Sequence, residues 1–118
     1  MILHLPYPPS VNHYYATFRG RRIVSAAGRE FRAEVQAIIG TMKLKLPNLS
    51  GRLCVEVMLY PADRRETDLD NRLKSLLDAL GKAGVYADDS QIDRLTIERG
   101  EVREGGEVCV QITERGEA

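Results

Sequence analysis

The stretch Asp68-Leu69-Asp70-Asn71-Arg72-Leu73-Lys74 holds the residues of this chain best suited to chemistry. Asp68 and Asp70 are two apart where a loop enters a helical pattern. In extended backbone at such a boundary, side chains two apart project to the same side. Lys74 follows Asp70 by four residues, one helical turn further on. Two carboxylates a few ångströms apart repel each other. Folding does not ask for that arrangement, and a hard divalent cation relieves it. Mg²⁺ prefers oxygen ligands and usually takes one or two carboxylates plus waters and substrate phosphates. A third acid would complete the site, and Asp88-Asp89 is the obvious donor. It lies in the loop returning from the far end of the same helix, so meeting Asp68 requires a partner subunit or a sheet that carries the loop back. Such a site suits phosphodiester hydrolysis, in which a metal polarises a phosphoryl oxygen and lowers the pKa of a bound water. A nearby lysine neutralises charge that grows in the transition state, and Lys74 is the candidate.

Each of these residues also has a structural reading. Aspartate at a helix start caps free amides and complements the dipole. Asp70 and Lys74 have the spacing of an ordinary ion pair worth ~0.2–0.5 kcal/mol. An Asp-x-Asp pair occurs as well in nucleotide-sugar transferases and in aspartyl-nucleophile phosphatases. Those phosphatases place it directly after a buried apolar strand, whereas Arg64-Arg65-Glu66-Thr67 precedes it here. Asp78 reads as a helix-surface charge, and Asp93 and the acidic tail as solvated. His4 and His13 have no metal-ligand spacing, and Ser25 reads as a cap rather than a nucleophile. Tyr7, Tyr14 and Tyr15 suit base stacking and core packing equally. No glycine-rich phosphate loop is present.

The elements around this stretch follow from periodicity. Residues 1–5 read as a short strand ending at Pro6, and Pro6-Tyr7-Pro8-Pro9-Ser10 as a rigid extended connection. Residues 13–24 suit a hairpin turning at Gly20. Ser25 opens a helix whose stripe is Phe31, Val35, Ile38, Ile39 and Met42, with Pro47 past its end. Leu53, Val55, Val57 and Leu59 alternate along a strand that Pro61 ends. A second helix runs from about Leu69 to Ala83 on the stripe Leu69, Leu73, Leu76, Leu77 and Leu80, stopping at Gly84. Asp70 and Lys74 lie off that stripe. Two more strands follow, with Leu95 and Ile97, then Val108, Val110 and Ile112, facing inward, and Gly105-Gly106 suggests a hairpin between them. The predicted fold is α+β, a small mixed β-sheet carrying two main helices, in one domain over residues 1–118.

The 118 residues carry 17 basic and 17 acidic side chains, which argues against simple non-specific polyanion binding. Their distribution is uneven, because residues 1–50 hold seven Lys/Arg against two Glu. Cys54 and Cys109 are too few for a disulfide scaffold or a zinc site. No apolar run is long enough to span a bilayer, and the N-terminus lacks the pattern of a signal peptide. The expected setting is therefore reducing and cytoplasmic.

Together, DLDNRLKSLLDALGKAGVYADDSQI, LPYPPSVNHYY at the front, VSAAG before the first helix and PADRR before the acidic pair resemble the RusA family of Holliday junction resolvases. The resemblance spans nearly the whole chain. It implies a small homodimeric endonuclease, often encoded by phages or prophages. Such a protein binds four-way DNA junctions and nicks two opposed strands symmetrically with Mg²⁺ or Mn²⁺. The family's metal-binding acids fall on Asp68, Asp70 and Asp89, and its essential lysine on Lys74. The family motif often carries arginine just before the first aspartate. Here that position is Thr67, with Arg64 and Arg65 nearby as substitutes. A two-fold dimer matches the approximate symmetry of a junction. Phosphate contacts are expected from Arg19, Arg21, Arg22, Arg29 and Arg32, in the basic front half. Two rivals remain: a non-catalytic junction-binding architectural protein, motivated by Thr67 and the neutral charge, and a metal-dependent phosphoesterase acting on small substrates.

Overall fold

Leu53, Val55, Val57 and Leu59 all turn one way and are nearly inaccessible, which makes their strand the centre of the molecule. The computed structural model describes residues 1–42, 49–65 and 68–116. Its strands are β1 (Ile2–Pro6), β2 (Tyr15–Phe18), β3 (Arg21–Val24), β4 (Leu53–Tyr60), β5 (Ile92–Arg99) and β6 (Glu107–Glu114). Its helices are α1 (Val11–Tyr14), α2 (Ala26–Met42) and α3 (Leu73–Lys82), with 3₁₀ turns at Asp70–Arg72 and Asp89–Gln91. This is the α+β class the sequence predicts, with one short helix added to the two long ones.

The main sheet has the order β1-β6-β4-β5. β6 runs antiparallel to both β1 and β4, and β5 runs parallel to β4. The unit β4, α3, β5 is therefore a crossover, with α3 carrying the chain back to start a parallel strand. The expected hairpin between the last two strands does not form, because β4 lies between them. The connection instead crosses the end of β4. Gly100 donates its amide to Leu59 O at 2.7 Å, and Arg103 donates its amide to Pro61 O at 2.9 Å. The Arg103 guanidinium stacks 3.5 Å from the centre of the Tyr60 ring. Gly105 and Gly106, at φ of 77° and 71°, make the turn into β6 rather than a hairpin tip.

Helices cover one face of this sheet. Phe31, Val35 and Ile39 from α2 and Leu76, Ala79 and Leu80 from α3 pack against Leu3, Leu5, Val108, Val110, Ile112 and the inner row of β4. Burying one such side chain contributes about 1.5–3 kcal/mol. Leu95 shares the inner face with its neighbour Val55, but β5 is the sheet edge. It stays 38% exposed, which corrects its inward assignment, whereas Ile97 packs against the core.

Local signals explain the ends of the elements. The Gly28 amide donates to Ser25 Oγ at 3.0 Å, so Ser25 is the predicted N-cap of α2. A Cβ on Gly28 would sit 2.5 Å from Tyr14 O, so only glycine lets α1 approach α2 there. The predicted stop Gly84 has φ of 83°, and the Val85 amide reaches back to Leu80 O at 3.1 Å. The hairpin β2–β3 turns at Arg19-Gly20, as expected, but His13 and Tyr14 belong to α1. Pro47 and Thr67 lie outside the described residues. No helix among the described residues is long and apolar enough to cross a membrane.

Candidate metal centre and nucleic-acid interface

The acidic stretch enters α3 through a 3₁₀ turn. The Asn71 amide donates to Asp68 O at 3.3 Å, and the Arg72 amide donates to Leu69 O at 3.4 Å. Leu69 is already helical at φ −61° and ψ −43°. The two aspartates therefore do not share a side by strand alternation, and the extended-backbone reading gives way to a tight turn. Leu69 and Leu73 pack against the core and fix this turn. Asp68, Asp70 and Lys74 are exposed, on the side away from the core, as the stripe predicts. Among the described residues the ion pairs join Arg32–Asp78, Arg52–Asp93, Arg65–Asp63, Arg103–Glu101, Arg103–Glu107 and Arg115–Asp93. Asp68, Asp70, Lys74 and Asp89 enter none of them.

Two residues inside and beside the motif anchor it. Arg72 Nη1 donates to Pro8 O at 3.0 Å, and its guanidinium lies 5.0 Å from the Tyr7 ring centre. Ser75 Oγ, fully buried, donates to Pro9 O at 2.6 Å. The head of α3 is thus fastened to the proline segment by donors to two prolyl carbonyls outside the sheet. Sequence reasoning assigned neither role. The usable signal was that a proline run leaves carbonyls needing donors, and buried carbonyls are rarely left unpaired.

Asp89 sits at the other end of α3. Asp88 caps its 3₁₀ turn, with Asp88 Oδ1 accepting from the Ser90 amide at 2.8 Å, and Gln91 closes a capping box. The Ser90 amide, then its hydroxyl and a hydrogen bond with Asp89, hold the Asp88 carboxyl below its ordinary range. Both acids are exposed, but Asp88 has a structural duty as the cap and Asp89 has none. The ten residues of α3 span about 15 Å at the helical rise. Asp89 lines a pocket with Leu77, Asp78, Gly81 and Lys82, along the later half of α3. Among the described residues no group of three or more His, Cys, Asp or Glu is arranged to hold a metal ion.

The donor chemistry nevertheless fits a hard cation. Asp68 and Asp70 offer carboxylate oxygens on one exposed turn, none of them in an ion pair among the described residues, which meets the one or two carboxylates Mg²⁺ usually takes.

The basic candidates divide into two groups. Arg19, Arg21 and Arg22 are exposed on the β2–β3 hairpin. Arg22 lies 3.8 Å over the Tyr15 ring, and Arg19 lies 5.2 Å from the centre of Phe18. Arg64 and Arg65 are exposed in the loop before the acidic turn, where Arg65 pairs with Asp63 at 3.0 Å. Arg29 donates to Val24 O at 3.0 Å, and Arg32 is committed to Asp78. Tyr14 is buried in the core rather than available for stacking. Asp93 is not simply solvated, because Arg52 Nε at 2.9 Å and Arg115 Nη1 at 3.2 Å both donate to it.

Comparison with known proteins bears on the whole of this arrangement. The family described as Endodeoxyribonuclease RusA matches residues 6–113. A crossover junction endodeoxyribonuclease rusA from Enterobacteria phage HK97 is 42% identical over 110 residues, covering 93% of this chain and 91% of its own length. The crossover junction endodeoxyribonuclease RusA of Escherichia coli (strain K12) is 40% identical over 112 residues, covering 95% of this chain and 92% of its own. That of Enterobacteria phage 82 is 39% identical with the same coverage. With a family match that runs from the proline segment to the last strand, and this identity over nearly full length, the chain belongs to the RusA endodeoxyribonuclease family.

Proposed function

We propose that the chain is a divalent-metal-dependent, structure-selective endonuclease that resolves four-way DNA junctions by paired symmetric nicks. It acts as a homodimer in DNA recombination and repair, in the cytoplasm or on a phage or prophage genome. The observation that carries this reading is the pairing of nearly full-length similarity to crossover junction endodeoxyribonucleases with three exposed charged groups, Asp68, Asp70 and Lys74, at the anchored head of α3.

Asp68 and Asp70 would hold Mg²⁺ or Mn²⁺, with Asp89 as the third acid. When bound, the ion would supply an activated water and polarise the scissile phosphate. The chain's own groups do the rest. Lys74, one turn beyond Asp70 and in no ion pair among the described residues, would offset charge growing on the phosphate. Arg72 and Ser75 hold the turn still, so that the acids need no reorganisation when DNA arrives. Arg19, Arg21 and Arg22, with Arg64 and Arg65, supply sequence-independent phosphate contacts.

A synthetic four-way junction incubated with the protein and Mg²⁺ tests the reading. Symmetric nicks that vanish in Asp70→Asn support it. Nicking that survives this substitution, or never occurs in the wild type, sinks it. The second reading, a junction-binding architectural protein, is favoured by the lack of a three-acid group within one chain among the described residues. It predicts tight junction binding without cleavage, with or without metal.

A further inference from the structure

We infer that Phe18, beside the tip of the β2–β3 hairpin, is a wedge: it stacks on a base pair left open at the exchange point of a four-way junction, and so favours branched over linear DNA. This inference rests on the proposed function and names a residue that gives it its choice of DNA structure.

The hairpin has two unlike faces. Tyr15 pairs with Val24 and Thr17 with Arg22, so these four share one face. Tyr15 and Val24 pack against the core, and the Ser25 amide donates to Tyr14 O at 2.8 Å where the hairpin joins the body. Ala16, Phe18, Arg21 and Ile23 share the other face, and all four are exposed. Phe18 is 56% accessible, the highest of any large apolar side chain among the described residues, and Ile23 is 39% accessible. A single exposed apolar side chain is ordinary. Here two of them lie diagonally on one face of a two-stranded ribbon whose opposite face is fastened to the body.

The tip is tight. Arg19 and Gly20 have φ of 50° and 75°, both positive, as the two central residues of a type I′ turn require. Phe18 is the last residue of β2 and pairs with Arg21, so it is held by the ribbon and not by a long loop. Asparagine or aspartate takes the first central position more easily than arginine does. Arg19 nevertheless occupies it, with its guanidinium 5.2 Å from the centre of the Phe18 ring. The ring and a phosphate ligand are thus offered side by side.

Charge says what covers this face. No acidic residue occurs between Tyr15 and Arg29, and Arg19, Arg21 and Arg22 enter no ion pair among the described residues. Guanidinium groups suit phosphates, and an aromatic ring suits the face of a base. In linear duplex every base pair inside the helix is stacked on both sides, so an inserted ring must first break a stack. In an opened junction the base pairs flanking the exchange point have lost a stacking neighbour. A ring gains contact there without that cost, which makes the gain specific to the branch.

Fluorescence anisotropy without divalent metal, so that nothing is cut, compares a labelled four-way junction with a linear duplex of the same arm sequence. Phe18→Ala should weaken junction binding about tenfold, the effect of removing one base–aromatic stack, and leave duplex binding unchanged. Phe18→Trp should retain junction affinity. A fluorescent adenine analogue at the exchange point should change its emission on binding the wild type or Phe18→Trp, and not on binding Phe18→Ala. Thermal melts of both variants should match the wild type, because the side chain is exposed. If Phe18→Ala binds junctions as the wild type does, or loses junction and duplex affinity in equal measure, the wedge is overturned. A change in the sedimentation of free Phe18→Ala overturns it too, by assigning the face to a protein contact. In each of these cases a wild type that nicks junctions with Mg²⁺ leaves the proposed function standing. A wild type that binds junction and duplex alike and cuts neither overturns both.

Discussion

Arg32 Nη2 lies 2.6 Å from Asp78 Oδ2, and this contact ties the middle of α2 to the middle of α3. Tyr14, buried at the end of α1, completes a triangle: its hydroxyl donates to Asp78 and accepts from Arg32 Nε at 2.6 Å. Asp78 reads from sequence as a surface charge and Arg32 as a phosphate ligand, yet together they hold three helices in register. Asp78→Ala would leave the Arg32 charge without its carboxylate and the Tyr14 hydroxyl proton without its acceptor in a partly buried site. A loss of about 1–3 kcal/mol is expected, with Tyr14→Phe costing less because it removes a neutral hydroxyl and leaves the Arg32–Asp78 ion pair in place. Urea unfolding of both variants checks the order, and equal stabilities would contradict it.

The same triangle sets an acid limit. Burial pushes the Asp78 carboxyl up, but hydrogen bonds from Tyr14 and Arg32, with the Arg32 and Lys82 charges, outweigh it and hold the carboxyl below its ordinary range. A depressed folded-state value means the contribution is present above the unfolded value, near 4, and is lost as pH falls through the folded value. Wild-type stability should therefore drop below about pH 4 more than that of Asp78→Asn, which has no proton to bind. Thermal melts from pH 6 down to pH 3 measure this difference. Parallel curves would remove Asp78 from the account.

What the sequence revealed follows a physical division. Leu53, Val55, Val57 and Leu59, or Phe31, Val35 and Ile39, are legible because burial imposes a period on a single segment. The Ser25 cap and the Gly84 stop are legible because each answers a backbone need within a few residues. The position of β4 between β5 and β6 is not, since two strands joined by Gly105-Gly106 look alike whether they pair or straddle a third. Nor is Arg32–Asp78, a contact 46 residues apart that no local pattern announces. At the candidate site the residue types of Asp68, Asp70 and Lys74 were visible. The tight turn that carries them, and the donors Arg72 and Ser75 that pin it to Pro8 and Pro9, depend on segments distant in sequence.

That pinning should matter to activity without touching DNA. Ser75→Ala removes the donor to Pro9 O in a fully buried site, and a stability loss of about 1–2 kcal/mol is expected. Arg72→Lys keeps the charge but loses the planar fork and the stacking over Tyr7. Both variants should bind junctions at near wild-type affinity and cut them more slowly at a temperature where they remain folded. Unchanged cutting by both would show that the head of α3 tolerates motion.

Junction affinity should depend on the β2–β3 hairpin. Arg21→Glu with Arg22→Glu should weaken binding about equally for all junction sequences and reduce the dependence of log K on log salt by roughly two phosphate contacts. Metal-ion calorimetry should be unaffected, because the hairpin lies outside the acidic turn. Fluorescence anisotropy with a labelled junction between 50 and 200 mM salt, about the range over which such binding falls steeply, provides the measurement. Normal affinity and an unaltered slope would move the DNA surface elsewhere, with Arg64 and Arg65 next in line.

The sharpest question is whether Asp89 serves its own chain or its neighbour. Asp70→Asn and Asp89→Asn are each expected to lower cutting by about 10²-fold or more, as losses of transition-state charge stabilisation do. Coexpressed, the two variants form mixed dimers. If Asp89 acts within its own chain, every site in a mixed dimer carries one defect and the mixture stays inactive. If it acts across the two-fold axis, one site collects both substitutions and the other collects neither. That intact site should cut one strand, so the mixture should yield singly nicked junctions without the paired cuts that release duplexes. Denaturing gels of a junction labelled on each strand in turn read the difference directly, and a mixture no more active than its parents would return Asp89 to its own chain.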